Sequence, residues 1–177
     1  MQDARRHPYL ENERGIPGEL LEIERFAGRV RIDARGNAVF PHFDRRGLCG
    51  YEIKNSDFTG FAAGGSKGLW SSRHAALFTD DRARYASIGG KPNPEQPELI
   101  RMAIAGMPAK SKIVAAKDAD AESVKLAEVV RQAVQLSGRD DLCFIFQEPF
   151  GFTDWNDQLR AKPRPSLPFR PEEPSVA

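Results

Sequence analysis

A change of hydrophobic period partway along the chain constrains its fold more than any other feature. Residues 29 to 61 carry the short β-type runs RVRID, NAVFPHF, LCGYEIKN and FTGFA, separated by the turn compositions ARGN, DRRG and NSD. Strands this short, joined by turns this tight, predict an antiparallel meander. Residues 84 to 148 follow a different rule. RYASIGG reads as a strand, and a proline-bounded helix over 94 to 105 sets Leu99, Ile100, Ala103 and Ile104 at helical spacing. KIVAAKD is a hydrophobic run of the kind buried in a parallel sheet. A helix from about 120 to 136 then places Leu126, Val129, Val130 and Ala133 on one face, and LCFIFQE supplies another buried-type strand. This β-α-β-α-β order predicts a parallel, right-handed crossover layer with helices over it.

Ahead of the meander, YLENERGIPGELLEIERFAG predicts two short helices, the first stopped by Gly15 and the second opened by Pro17 and carrying Leu20, Leu21 and Ile23. GGSKGLW is a glycine-rich connection between the two halves. Prolines at 163, 165, 168, 171 and 174 predict an exposed, extended tail. The expected fold class is therefore α/β with an α+β amino-terminal part, divided as 1–70, 71–160 and a proline-rich 161–177. At 177 residues this suits one domain, or a small domain packed on a smaller module.

Lysine and arginine number 26 against 25 aspartates and glutamates, so any nucleic-acid binding has to come from local patches. No stretch reaches the roughly 18 apolar residues of a membrane span, and residues 1 to 6 are polar and charged, so no membrane partner and a reducing cytoplasm are expected. Cys49 and Cys143 lie far apart without a second ligand at zinc spacing and are expected in the core. His7, His42 and His74 are scattered, and His42, between Pro41 and Phe43, is expected to be a hydrogen-bonded structural histidine. No Ser-His-Asp or Cys-His order supports a nucleophilic hydrolase.

Three constellations can carry chemistry. In KIVAAKDADAES an apolar strand runs into Asp118-Ala-Asp120 and then a helix. Residues two apart on an extended chain point to the same side, so both carboxylates can meet one hard cation at the carboxyl end of a sheet. Equally, Asp118 can end the strand while Asp120 caps the helix. The second constellation, Asp154-Trp155-Asn156-Asp157, is either a capped final helical turn with Trp155 buried or a further metal-proximal or phosphate-proximal carboxylate group. The third gathers Lys54 and Lys67, with Arg45 and Arg46, around Gly64-Gly65, where lysines can meet phosphate and glycine lets backbone approach it. The spacing G-x-x-x-x-G-K-[ST] is absent, so this is not a Walker loop.

Taken in order, RGIPGELLEIERFAGRVRIDARGNAVFPHFDRRGLCGYEIKN, GFAAGGSKGLW, RYASIGGKPNPEQPELI, KIVAAKDADA and EPFGFTDWNDQL resemble the Toprim-containing primase-like proteins of bacterial plasmids and integrative elements, often found beside or fused to relaxases. The resemblance implies a primase-associated subdomain over 1–70 and a truncated Toprim-like domain over 71–160. It further implies action on DNA or RNA in replication or transfer, primase-like nucleotidyl transfer or strand cleavage, and relaxase or other mobile-element replication proteins as partners. Asp118 and Asp120 match the family's D-x-D, which implies that they are catalytic and hold Mg²⁺ or Mn²⁺, with Asp154 and Asp157 assisting as metal ligands and Lys54 and Lys67 on phosphate.

One departure bears on activity. The family's first Toprim strand ends in a glutamate, but SSRHAALFTDDRA, between GLW and RYASIGG, holds no glutamate and is too short for strand plus helix, with HAALF resembling the end of the helix. Glu122-Ser123 stands where the family has small residues. The incomplete acidic set implies impaired catalysis, and the rival expectation is a non-catalytic accessory or degenerate module that binds a protein partner. A missing strand would leave a sheet edge for such a partner to cover. Glu52 or Glu148 reaching Asp118 would favour catalysis.

Overall fold

The computed structural model describes residues 1–72, 85–88 and 92–161. HAALF, His74, Gly89-Gly90 and the proline-rich tail lie outside the described residues. The molecule is a mixed α/β structure with a five-stranded antiparallel sheet and a smaller parallel pair.

The antiparallel sheet runs β1 (Gln2–Asp3), β2 (Arg31–Ile32), β3 (Ala38–Asp44), β4 (Gly47–Lys54) and β5 (Thr59–Phe61), in that order. The expected meander supplies β2 to β5; β1, too short to leave a periodic signal, adds an edge. Its turns are held by their own side chains. Asp44 Oδ1 accepts the Arg46 N–H at 2.7 Å in the β3–β4 hairpin. Asp33 Oδ1 accepts from the amides of Arg35 and Asn37 at 2.8 and 2.9 Å. These short polar side chains replace backbone partners that a tight turn cannot supply.

Before β2, Tyr9–Glu13 forms a single turn of π-helix, closed by Arg14 N–H to the Tyr9 carbonyl at 3.1 Å. Gly15, at φ +65°, ends it, and Pro17 opens α1 (Gly18–Glu22). The wider turn brings Leu10 inward, where it packs with Ala4, Leu21, Val30 and Ala38 as one core.

The parallel pair, β8 (Lys112–Ala116) and β9 (Cys143–Gln147), is connected through α3 (Ala121–Leu136). With α2 (Gln96–Ala105) it encloses the second core, Ile100, Ile104, Ile113 and Ala133, against which Leu69 and Ile88 also pack. One expectation needs correction. The described residues of RYASIGG, 85–88, do not join the parallel pair: β7 (Ala86–Ser87) pairs antiparallel with β6 (Trp70–Ser71). Ser72 N–H donates to the Tyr85 carbonyl at 2.8 Å, and Tyr85 N–H donates back to Ser72 Oγ at 3.0 Å. Cys143 is a second correction, being exposed on β9, while Cys49 is half-buried.

The halves meet at a polar seam. Leu69 exchanges both backbone bonds with Phe43, each 2.9 Å, which leads β6 off the end of β3. The Gly68 carbonyl then accepts from His42 Nδ1 and from Gln96 Nε2, both at 2.9 Å. Gln96 is fully buried and completes its set with Ile88 O at 2.7 Å and Asn93 N–H at 2.8 Å. Buried amides need every partner, and this one has them from three segments.

Candidate functional site

β8 ends at Ala116, but its ladder continues one step, Lys117 N–H to Gln147 O at 2.9 Å. The chain then crosses to the start of α4 (Trp155–Arg160): Ala119 N–H donates to Thr153 O at 2.8 Å and Trp155 Nε1 to Lys117 O at 3.0 Å. This crossing decides where the two candidate carboxylates go. Asp118 Oδ1 accepts from Trp155 N–H, the first amide of α4, at 3.2 Å. Asp120 Oδ1 accepts from Ser123 N–H at 2.6 Å and caps α3. Residues two apart, expected to share one cation, are therefore committed to the starts of two different helices.

The cap sets the protonation of Asp120. The Ser123 amide holds its carboxyl below the ordinary carboxylate value, because a backbone N–H at a helix start favours the charged form. Asp154 is the matching cap of α4, its Oδ1 accepting from Asp157 N–H at 2.7 Å. The structure thus brings Asp118 and Asp154 to one helix start and leaves Asp120 on another. Glu148 reaches the same end of the sheet but forms an ion pair with Lys117. Glu52, on β4, pairs with Lys54 at 3.3 Å. Among the described residues no three His, Cys, Asp or Glu side chains gather as a metal-binding group.

The basic cluster is also dispersed. Lys54, the last residue of β4, lies beside Glu52 and over the Phe40 ring, 5.8 Å from its centroid. Lys67 is at the other end of β4, where its neighbour Ser66 donates its amide to Cys49 O at 2.9 Å. There it lines a shallow concavity of about 410 Å³ with Phe61, Gly65, Ser66 and Asn93. Arg45 bonds Glu98 of α2 at 2.9 Å, and Arg46 lies 3.4 Å from Asp44.

His42 is fully buried, and only half of the bonding expected of it is present. Nδ1 is 2.9 Å from the Gly68 carbonyl, so it carries the proton, while Nε2 has no hydrogen-bond partner. Burial pushes its pKa below the ordinary imidazole value and keeps the ring neutral. The Phe61 ring meets it edge to face at 5.2 Å.

Sequence reasoning also missed a cleft of about 500 Å³ where the π turn, the β4–β5 hairpin and α4 come together, with Arg14, Phe58 and Arg160 in its walls. Its lining runs from Tyr9 to Arg160, so no local pattern marks it.

No curated protein and no solved structure matches the chain. Residues 8–77 match a family described as a protein of unknown function (DUF3991), so the likeness covers β2 to β6 and stops short of the parallel pair.

Proposed function

We propose that this chain is a Toprim-like accessory module that binds DNA or RNA in the replication or transfer of a mobile element and performs no metal-dependent chemistry of its own. The nucleic-acid part rests on the resemblance of its ordered segments to plasmid primase-like proteins. The non-catalytic part rests on one observation: Asp118, Asp120 and Asp154 each accept a backbone amide at a helix start. A two-ion or one-ion phosphoryl-transfer centre needs several carboxylates converging on one volume, with a third ligand or acid/base group beside them. Such a module would act by holding a strand, a relaxase or another replication protein in place.

A second reading, Mg²⁺-dependent nucleotidyl transfer, is favoured by the meeting of Asp118 and Asp154 at the start of α4, with Glu148 at the same sheet end. Asp157 would assist from the first turn of that helix. Two assays on the full chain separate the readings. The expected result is salt-sensitive binding of a labelled single-stranded oligonucleotide, with no primer synthesis or nicking in Mg²⁺ or Mn²⁺ and the same calorimetric metal response in wild type and in Asp118→Asn with Asp120→Asn. Turnover that disappears in Asp118→Asn would establish the second reading instead. A wild-type chain that binds neither DNA nor RNA would remove the nucleic-acid part altogether.

A further inference from the structure

The cleft between the π turn, the β4–β5 hairpin and α4 contains side chains with unused bonding capacity. Among the described residues, the guanidinium groups of Arg14 and Arg160 have no ion pair or hydrogen bond, and neither do the amides of Asn12 and Asn156. Two donors come from the amino-terminal turn and two from the last described helix, and they face one concavity of about 500 Å³. That volume is in the range of small-ligand sites.

Packing fixes both walls. A Cβ at Gly15 would lie 3.0 Å from Arg160 Cγ, so the aliphatic stem of Arg160 rests closely on the glycine, and Arg160 lines the cleft. On the opposite wall, the Phe58 ring packs over the Gly60 backbone and is still 51% exposed. Ser56 Oγ donates to Glu13, tying the hairpin to the π turn, and Asn55 Nδ2 donates to Asn37 Oδ1 at 2.6 Å. Glu13 and Asp57 balance the two arginines, so a bare anion gains little from the cleft as a whole.

A ligand that uses all of these groups has an anionic end for the guanidinium forks, a flat aromatic surface for Phe58 and polar edges for the asparagines. We propose that the cleft holds one nucleotide unit, its phosphate between Arg14 and Arg160 and its base stacked on Phe58. The proposal rests on the nucleic-acid reading above and gives that reading a place. The unit can belong to a single strand or be a free nucleotide, since the two share phosphate and base.

Fluorescence anisotropy of the full chain with a fluorescein-labelled fifteen-residue oligothymidylate tests it. Arg14→Ala with Arg160→Ala is expected to weaken binding by at least about tenfold and to lower the slope of log K against log salt by about 0.7, the release expected for one single-strand phosphate contact. Phe58→Ala is expected to weaken it roughly tenfold through lost stacking. The pair Arg14→Lys with Arg160→Lys keeps charge and fold, and is expected to preserve the slope while losing affinity. Displacement of the probe by millimolar thymidine 5′-monophosphate would identify a free nucleotide as a sufficient ligand, whereas displacement only by unlabelled strand would identify the polymer. Wild-type binding that all three variants retain would overturn the cleft and leave the nucleic-acid reading standing. No wild-type binding of strand or mononucleotide would overturn both.

Discussion

The antiparallel sheet and the parallel pair are covered in opposite ways. At the centre of the first, β3 buries both of its faces: Ala38, Val39 and His42 are 0%, 1% and 0% exposed. In the second, Ile113 is buried against α2 and α3, but Lys112, Val114 and Ala116 on the other face of β8 are exposed, as are Cys143 and Gln147 beside them on β9. Parallel strands ordinarily have both faces covered, whereas antiparallel ones tolerate an open face. Among the described residues this chain reverses that habit. The amino-terminal half has a complete core of its own, while the carboxyl-terminal half depends on its junction with the first, through Leu69, Ile88 and the Gly68 seam.

That dependence can be broken at one atom. A Cβ on Gly68 would collide with the Phe43 carbonyl, which is backbone, and would come within 2.7 Å of Cys49 Sγ, so neither side can yield cheaply. Gly68→Ala is therefore expected to push the seam apart and strand the buried Gln96 amide. Overpacking of this kind costs about 3 kcal/mol. The urea midpoint should fall by roughly 1.5 M, and hydrogen exchange should quicken in α2 and β8 more than in β3. Equal protection in both halves would mean that the carboxyl-terminal half does not rely on the junction.

The unequal cover explains what the sequence could and could not reveal. Strand and helix positions follow from local pattern, so β3, β4, α2, β8, α3 and β9 all fall within the segments that alternation and helical spacing mark. The caps were legible too, because Asp120 and Asp154 each stand just before a helical run. KIVAA reads as buried on both faces because its composition is apolar throughout, yet composition fixes the strand without fixing how many faces receive neighbours. The Gly68–Gln96 bond spans 28 residues, and the Asp118–Trp155 bond 37. Single polar contacts over such distances leave no periodic trace, so the seam and the division of the D-x-D pair between two helices emerge only in three dimensions.

His42 sharpens the comparison through pH, since it is a titratable group fully buried in the better-covered half. Its folded pKa lies below the ordinary value of 6.5 because burial penalises the imidazolium, a penalty that nearby Lys67 and Lys54 increase and Glu52 opposes. The unfolded chain then binds more protons than the folded one as pH drops below about 6.5. The stability contributed by the neutral ring is present above that pH and is lost as pH falls toward the folded pKa. Urea unfolding between pH 8 and pH 5 should show this loss in wild type and a flatter profile in His42→Gln, which keeps a donor for the Gly68 carbonyl. Identical profiles would place a charged or solvated histidine at position 42 and weaken the case for a sealed first half.

The smallest effect concerns the cysteines, which report cover without altering stability. Cys49 is half-buried, its Sγ donates to the His42 carbonyl at 3.3 Å, and burial raises its thiol pKa, so little thiolate is available for reaction. Cys143 lies exposed at the start of β9. A disulfide exchange reagent at pH 8 should therefore find one fast thiol and one slower by roughly tenfold or more, with Cys143→Ser deleting the fast phase alone. Equal, slow phases in wild type would show that something covers the outer face of the parallel pair. Dilution then distinguishes the cover, because a second copy of the chain dissociates and frees Cys143 as concentration falls, whereas a segment of the same chain protects it at every concentration.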